Sequence, residues 1–168
     1  QQALQIFDKA VDVAGSISDD SKKAWALSDI ALELAEAGQF DKAVNVAGSI
    51  TRDYSKASAL RDIAVELAKA GQTQQALQIF DKALNVAGSI SDDYEKAEAL
   101  RDIALELAKA GQTQKALQIF DKALTVARSI YDNDDRAEAL RYIASELAKA
   151  GQFDKAINLI NKKTDPYF

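Results

Sequence analysis

The chain has 168 residues, 48% hydrophobic but only 7% aromatic, with a formal net charge of −5 and neither histidine nor cysteine. Net acidity opposes non-specific binding to nucleic-acid phosphates or anionic lipid, and no apolar run approaches the roughly 18 residues of a membrane span. Without histidine or cysteine there is no Ser-His or Cys-His nucleophile, no His-bearing zinc site and no disulfide framework, so no catalysis, cofactor or metal is expected. The missing cysteine leaves the compartment open, with the cytoplasm as the default, and Gln1 in place of an initial Met leaves room for a preceding segment. One proline and seven glycines argue against a turn-rich β fold.

Internal repetition organises the chain. Ala-Gly-Gln recurs with glycines at Gly38, Gly71, Gly111 and Gly151, spaced by 33, 40 and 40 residues, and residues 51–90 match 91–130 at 32 of 40 positions. In chain order, residues 1–17 copy the second half of a unit. Residues 18–50 form a short unit, 51–90 and 91–130 two long ones, 131–163 another short one, and 164–168 open a further one. The short units lack seven residues of their second helix. That is close to two helical turns, so nearly the same face still points inward.

Each unit reads as two helices, nine in all with the leading half unit. In 91–130 the first runs from about Asp92 to Lys109, with Leu100, Ile103, Ala104 and Leu107 at i, i+3, i+4 and i+7. Ser91, Asp92 and Asp93 suit its start, and Gly111 is the expected left-handed terminator. The second runs from about Thr113 to Ala127. Its polar stripe is narrow (Gln114, Gln118, Asp121, Thr125), as expected for a helix flanked on more than one side. At the chain's end, Asp165-Pro166-Tyr167-Phe168 reads as the cap and first turn of another first helix. Array ends without polar caps would expose Leu4, Ile6, Phe7, Ile157 and Ile160, which predicts end-to-end self-association.

The densest acidic cluster, Asp132, Asp134 and Asp135, lacks the ligands of a calcium loop. Arg136 and Ala137 stand where further oxygens and a sharp-turn glycine belong. Helix capping accounts for it, as for Asp19-Asp20 and Asp92-Asp93. No glycine-rich phosphate loop is present.

The spacing of Ala104, Gly111, Ala116, Phe120 and Ala123, repeated by Ala64, Gly71, Ala76, Phe80 and Ala83, resembles the tetratricopeptide repeat. Gly38-Gln39-Phe40-Asp41-Lys42-Ala43 and Gly151-Gln152-Phe153-Asp154-Lys155-Ala156 are similar to that family's turn. The resemblance covers essentially the whole chain and implies an all-α, right-handed solenoid of helical hairpins that binds a protein or peptide in a concave groove. The chain departs from the 34-residue pattern in its unit lengths, in Thr73 and Thr113 where an aromatic is usual, and in lacking a proline between units. Residues Lys109 to Phe120 also look a little like the RNA-reading pentatricopeptide family, but net acidity weighs against RNA.

The resemblance implies that the exposed stripe of the first helices lines the groove. Along the array one position reads Ser28, Arg61, Arg101, Arg141, the next Leu32, Val65, Leu105, Ser145, and the next Glu36, Lys69, Lys109, Lys149. The position before them reads Trp25, Ser58, Glu98, Glu138. The candidate peptide-binding residues are therefore Trp25, Leu32, Arg61, Val65, Lys69, Arg101, Leu105, Lys109, Arg141 and Lys149, and the partner they suit is an acidic segment with apolar side chains. Two plainer accounts stand beside this one. Glu98 with Arg101 and Glu106 with Lys109 are i, i+3 pairs that only solvate a helix, and copying one ancestral surface makes such a column by itself. Trp25 breaks the pattern of its equivalents as an interface anchor would, or packs on the leading helix. The alternative functions are an architectural spacer or self-assembling rod, or an engineered or recently amplified array with no groove ligand.

Overall fold

A computed structural model of the chain describes residues 2–162, and the side chains of residues 5–159. Among the described residues every element is an α-helix: α1 (Gln2–Gly15), α2 (Asp20–Glu36), α3 (Phe40–Gly48), α4 (Asp53–Lys69), α5 (Thr73–Ser89), α6 (Asp93–Lys109), α7 (Thr113–Ser129), α8 (Asn133–Lys149) and α9 (Phe153–Lys162). The fold is an all-α solenoid of helical hairpins. Asp165-Pro166-Tyr167-Phe168, expected to open a further helix, lies outside the described residues, as do the side chains of Leu4 and Ile160. Among the described residues no helix is long and apolar enough to cross a membrane.

Local sequence sets the helix ends. Asp19, Asp92 and Asp132 accept backbone N–H bonds at the starts of α2, α6 and α8, from Lys22 at 2.8 Å, from Glu95 at 2.8 Å, and from Asp134 and Asp135 at 2.8 and 3.0 Å. The acidic cluster at 132–135 is thus a helix start, and Asp132 its cap. The four turn glycines all take positive φ, from 72° to 77°. At the first of them Gln39 N–H reaches Leu34 O at 2.8 Å and Gly38 N–H reaches Ala35 O at 2.9 Å. This double closure satisfies the last carbonyls of a helix and needs a residue without a Cβ cost. α7 runs two residues past the expected Ala127, to Ser129, whose Oγ donates to Val126 O at 2.7 Å.

The chain divides into two compact units, residues 1–89 with α1 to α5 and residues 90–168 with α6 to α9. In the first, α4 lies along α5, and α2 packs on α1, α3 and α4. Its core includes Leu34, Ile63, Leu67 and Phe80, the last 1% exposed. In the second, α6 lies along α7 and α8 packs on α6, α7 and α9, around Ile103, Leu107, Phe120, Ile143 and Leu147. Alanines fill the closest approaches: Ala57, Ala64 and Ala83 in the first unit, and Ala104, Ala123 and Ala127 in the second, are fully buried. The second helices differ in length, 9 residues in α3 against 17 in α5, where the sequence lacks seven residues.

Within each unit neighbouring first helices pack directly, α2 on α4 and α6 on α8. Second helices also reach one another through long side chains, Lys42 Nζ to Asp8 at 2.9 Å and Lys155 Nζ to Asp121 at 3.1 Å. The apolar stripe of each first helix faces its hairpin partner, which leaves the remaining side for the candidate site.

Candidate functional site

On α4, Ala57, Leu60, Ile63, Ala64 and Leu67 are buried, and the 3.6-residue period turns Ser58, Arg61, Asp62, Val65, Glu66 and Lys69 outward. Most of these are half-buried, because α2 flanks them within the unit. Arg61 is held in place by its neighbours. Its Nε and Nη2 donate to Asp62 Oδ1 at 2.9 and 2.8 Å, Nη2 also donates to Ser58 Oγ at 3.0 Å, and its side chain is only 19% exposed. Lys69 Nζ donates to Glu66 Oε1 at 2.6 Å. On α2, Leu32 is half-buried and Trp25 is 70% exposed, while Ser28 Oγ turns back to Ala24 O at 2.8 Å.

The second unit repeats the pattern and then departs from it. Arg101 Nε donates to Asp102 Oδ1 at 2.8 Å and Nη2 to Glu98 Oε1 at 3.3 Å, with the side chain 12% exposed. Burial works against its charge, but the adjoining Asp102 and Glu98 carboxylates outweigh that, so this guanidinium holds its proton more tightly than an ordinary arginine. Leu105 is half-buried, and Lys109 and Lys149 donate to Glu106 and Glu146 at 2.7 and 2.8 Å. Glu146 Oε2 is buried without a hydrogen-bond partner.

Arg141 differs. The residue after it is Tyr142, where Arg61 and Arg101 have Asp62 and Asp102. Its guanidinium carbon sits 4.5 Å from the Tyr142 ring centre, and Arg101 approaches the same ring at 5.2 Å. The ion pair of Arg141 with Glu138 stretches to 3.8 Å, and the side chain is 64% exposed. Between α6 and α8, a narrow crease is lined by Tyr94, Ala97, Glu98, Arg101, Ala139 and Ile143. Burial pushes the Tyr94 phenol above its ordinary value of 10.0, and Glu138 and Glu98 add to the shift.

The residues singled out from sequence all lie on first helices, as their spacing required. In the first unit Trp25 and Leu32 lie on α2, which packs on the α4 that carries Arg61, Val65 and Lys69; in the second, Arg101, Leu105 and Lys109 lie on α6, which packs on the α8 that carries Arg141 and Lys149, and Arg101 and Arg141 meet at the Tyr142 ring. It does not present the arginines and lysines as a column of unpaired cations, because each has a carboxylate from its own helix within 4 Å. Asp62, Asp102 and Tyr142 were missing from the sequence-based set. Their signal was available in the column Asp29, Asp62, Asp102, Tyr142, which changes character only at its last member.

Comparisons with known proteins agree on this architecture. The tetratricopeptide repeat family model matches residues 55–129 and 95–162. The fold is similar to the crystal structure of Ton1535 from Thermococcus onnurineus NA1, with a TM-score of 0.69 and 21% identity over 97% of this chain. This chain spans 51% of that protein's length. It is also similar to a putative kinesin light chain of Podosopora anserina with nearly identical TPR-like repeats, with a TM-score of 0.54 and 15% identity over 96% of this chain and 84% of that one. At such identities the likeness is one of fold. No curated protein matches the chain.

Proposed function

Because the chain belongs to the tetratricopeptide repeat family, whose repeats generally mediate protein–protein interaction and are typically scaffolds rather than enzymes, we propose that its first-helix faces hold an acidic, partly apolar segment of another protein. The observation that carries this reading is the interleaving of part-exposed apolar and cationic side chains on neighbouring first helices. In the first unit Trp25 and Leu32 lie on α2 and Val65 and Lys69 on the neighbouring α4; in the second Leu105 and Lys109 lie on α6 and Arg141 and Lys149 on the neighbouring α8. Lys69, Lys109 and Lys149 keep more than half of their side-chain surface in water although each is paired. An i, i+3 pair of this kind is worth only a few tenths of a kcal/mol, so a ligand carboxylate exchanges with it at little cost.

Affinity for short peptides should be about micromolar, since ordering a peptide consumes much of the interface energy. It should fall as salt rises, because the contacts are partly exposed. The test is a library of acidic peptides with Leu or Val between the carboxylates, read by fluorescence anisotropy and by Trp25 emission. Binding that weakens with salt supports the reading, and no binding at millimolar peptide rejects it.

A second reading rests on different residues. Ile6 and Val13 on α1 are 68% and 67% exposed, and Phe153 and Ile157 on α9 are 64% and 53% exposed. These are apolar faces that a second copy can cover, giving the end-to-end association of a structural rod. Sedimentation equilibrium should show concentration-dependent assembly that Ile6→Asp with Ile157→Asp abolishes. A monomer at millimolar concentration removes this reading.

A further inference from the structure

We propose that a cleft between α1, α2 and α3 is a docking site for a basic segment of a partner protein. An apolar side chain of that segment seats in the cleft, and an adjoining Lys or Arg pairs with Asp12. This goes beyond the first-helix reading above, since it uses the second helices α1 and α3 and the opposite charge. The cleft encloses about 250 Å³. Its walls run from apolar to polar: Leu34 and Val46 are 1% and 8% exposed, Phe7 and Val11 are half-buried, and Asp8 and Asp12 stand exposed at the rim. Lys42 Nζ ties α3 to α1 through Asp8 at 2.9 Å. Two carboxylates thus face one ammonium, and among the described residues no cation pairs with Asp12. Ile6 and Val13 lie on another stripe of α1 and take no part in the cleft.

The sequence points to the same place. Residues 1–17 copy residues 74–90 at every position but two, where Val11 stands for Leu84 and Asp12 for Asn85. Both changed residues line the cleft. The first trims a side chain by one methylene and opens room, and the second adds a charge at the rim. Helix packing needs neither change, since α5 folds with Leu and Asn at these places. α7 and α9 carry the corresponding ion pair, Lys155 Nζ to Asp121 at 3.1 Å, but there Leu124, 8% exposed, and Thr125 hold the two positions. At about 250 Å³ the cleft is smaller than the roughly 300–1,000 Å³ of sites that enclose small molecules, and its charged rim is open to water. That size suits one inserted side chain with the rest of its ligand outside, which is how a segment of a protein binds. The unpaired carboxylate at the rim selects a neighbouring cation, and the chain's net charge of −5 favours the approach of a basic partner.

The experiment follows the methyl signals of Val11, Leu34 and Val46 in the whole chain by NMR during titration with acetyl-Leu-Lys-amide. Acetyl-Leu-Glu-amide reverses the charge, and acetyl-Ala-Lys-amide removes the apolar side chain. Saturable shifts at these methyls with the first probe, and much weaker ones with the other two, are expected. Val11→Leu should weaken binding about tenfold by filling the cleft, the worth of burying one apolar side chain. Asp12→Asn should weaken it about threefold, as loss of an exposed ion pair does. Together the two substitutions restore the residues of α5, so the fold is retained, and circular dichroism checks the helicity. No saturable shift of these methyls, equal binding of acetyl-Leu-Glu-amide, or indifference of the folded double variant overturns the proposal. So does a shift that grows with protein concentration alone, which makes the occupant a second copy of the chain. Tighter binding of n-hexylamine than of acetyl-Leu-Lys-amide also overturns it, because the occupant is then a free amine. None of these outcomes touches the first-helix reading, whose acidic peptides are read at Trp25.

Discussion

Helices α1 and α5 belong to the same unit and are near copies in sequence, yet they lie in different surroundings. Ile79 is 8% exposed in α5, and its counterpart Ile6 in α1 is 68% exposed; Phe80 is fully buried, and Phe7 only half. Both segments fold as helices, α1 ending at Gly15 and α5 at Ser89. What differs is the neighbour: α4 lies along α5 as the first arm of its hairpin, while among the described helices α1 packs on α2. The same residues thus make the same local structure and very different contributions to stability. Burial in a repeat protein belongs to the interface between elements.

The largest expected effect breaks or upholds this comparison directly. Phe80→Ala should destabilise by about 3–5 kcal/mol, since a fully packed ring leaves a cavity, whereas Phe7→Ala should cost roughly 1 kcal/mol. Urea unfolding measures both, and equal costs would mean that α1 is covered after all. Next, features that depend only on local backbone should not distinguish copies. Gly71→Ala and Gly111→Ala should each cost about 1–2 kcal/mol, because both glycines have φ of 77° and open space beside them. A large difference between the two would show that tertiary packing reaches even the turns.

A smaller effect separates α4 from α6. Asp92 caps α6 through Glu95 N–H, whereas at the same position of α4 Arg52 makes no side-chain cap and instead donates to Ser21 Oγ at 3.1 Å. Asp92→Ala should lower stability by about 1 kcal/mol, and Arg52→Asp should raise it by at most that much. A fall in melting temperature with Arg52→Asp would show that the Ser21 contact outweighs the cap.

The smallest effect concerns Tyr94. Its folded value lies above 10.0 through burial and then Glu138 and Glu98, so the folded state binds the phenolic proton more tightly than the unfolded chain. The resulting stability is fully present below pH 10.0 and is lost as pH rises through the folded value. Difference absorbance at 295 nm against Tyr94→Phe should show this late titration, and Glu138→Gln should bring it earlier. A Tyr94 that ionises at or below the ordinary value would remove Glu138 from its surroundings.

Much of this molecule was legible before any coordinate. The four Ala-Gly-Gln turns, the Asp caps and the 3.6-residue spacing of Leu100, Ile103, Ala104 and Leu107 are short-range signals, and such signals act within one or two helical turns. They determined the helices, the hairpins and the family. The candidate site was legible only as a set of positions. Spacing put Arg61, Arg101 and Arg141 on corresponding faces and made them look equivalent, because a repeat alignment compares columns one at a time. The residue that follows each one, and the packing of α8 on α6, made them unequal. Asp62 and Asp102 fold back onto the preceding arginine, Tyr142 instead receives two guanidiniums from two helices, and only the packing of α8 on α6 brings that pair together. Likewise the identical apolar letters of α1 and α5 could not say which would be covered. Helix formation and the pairing of these cations are decided by neighbours along the chain, whereas burial is decided by neighbours in space.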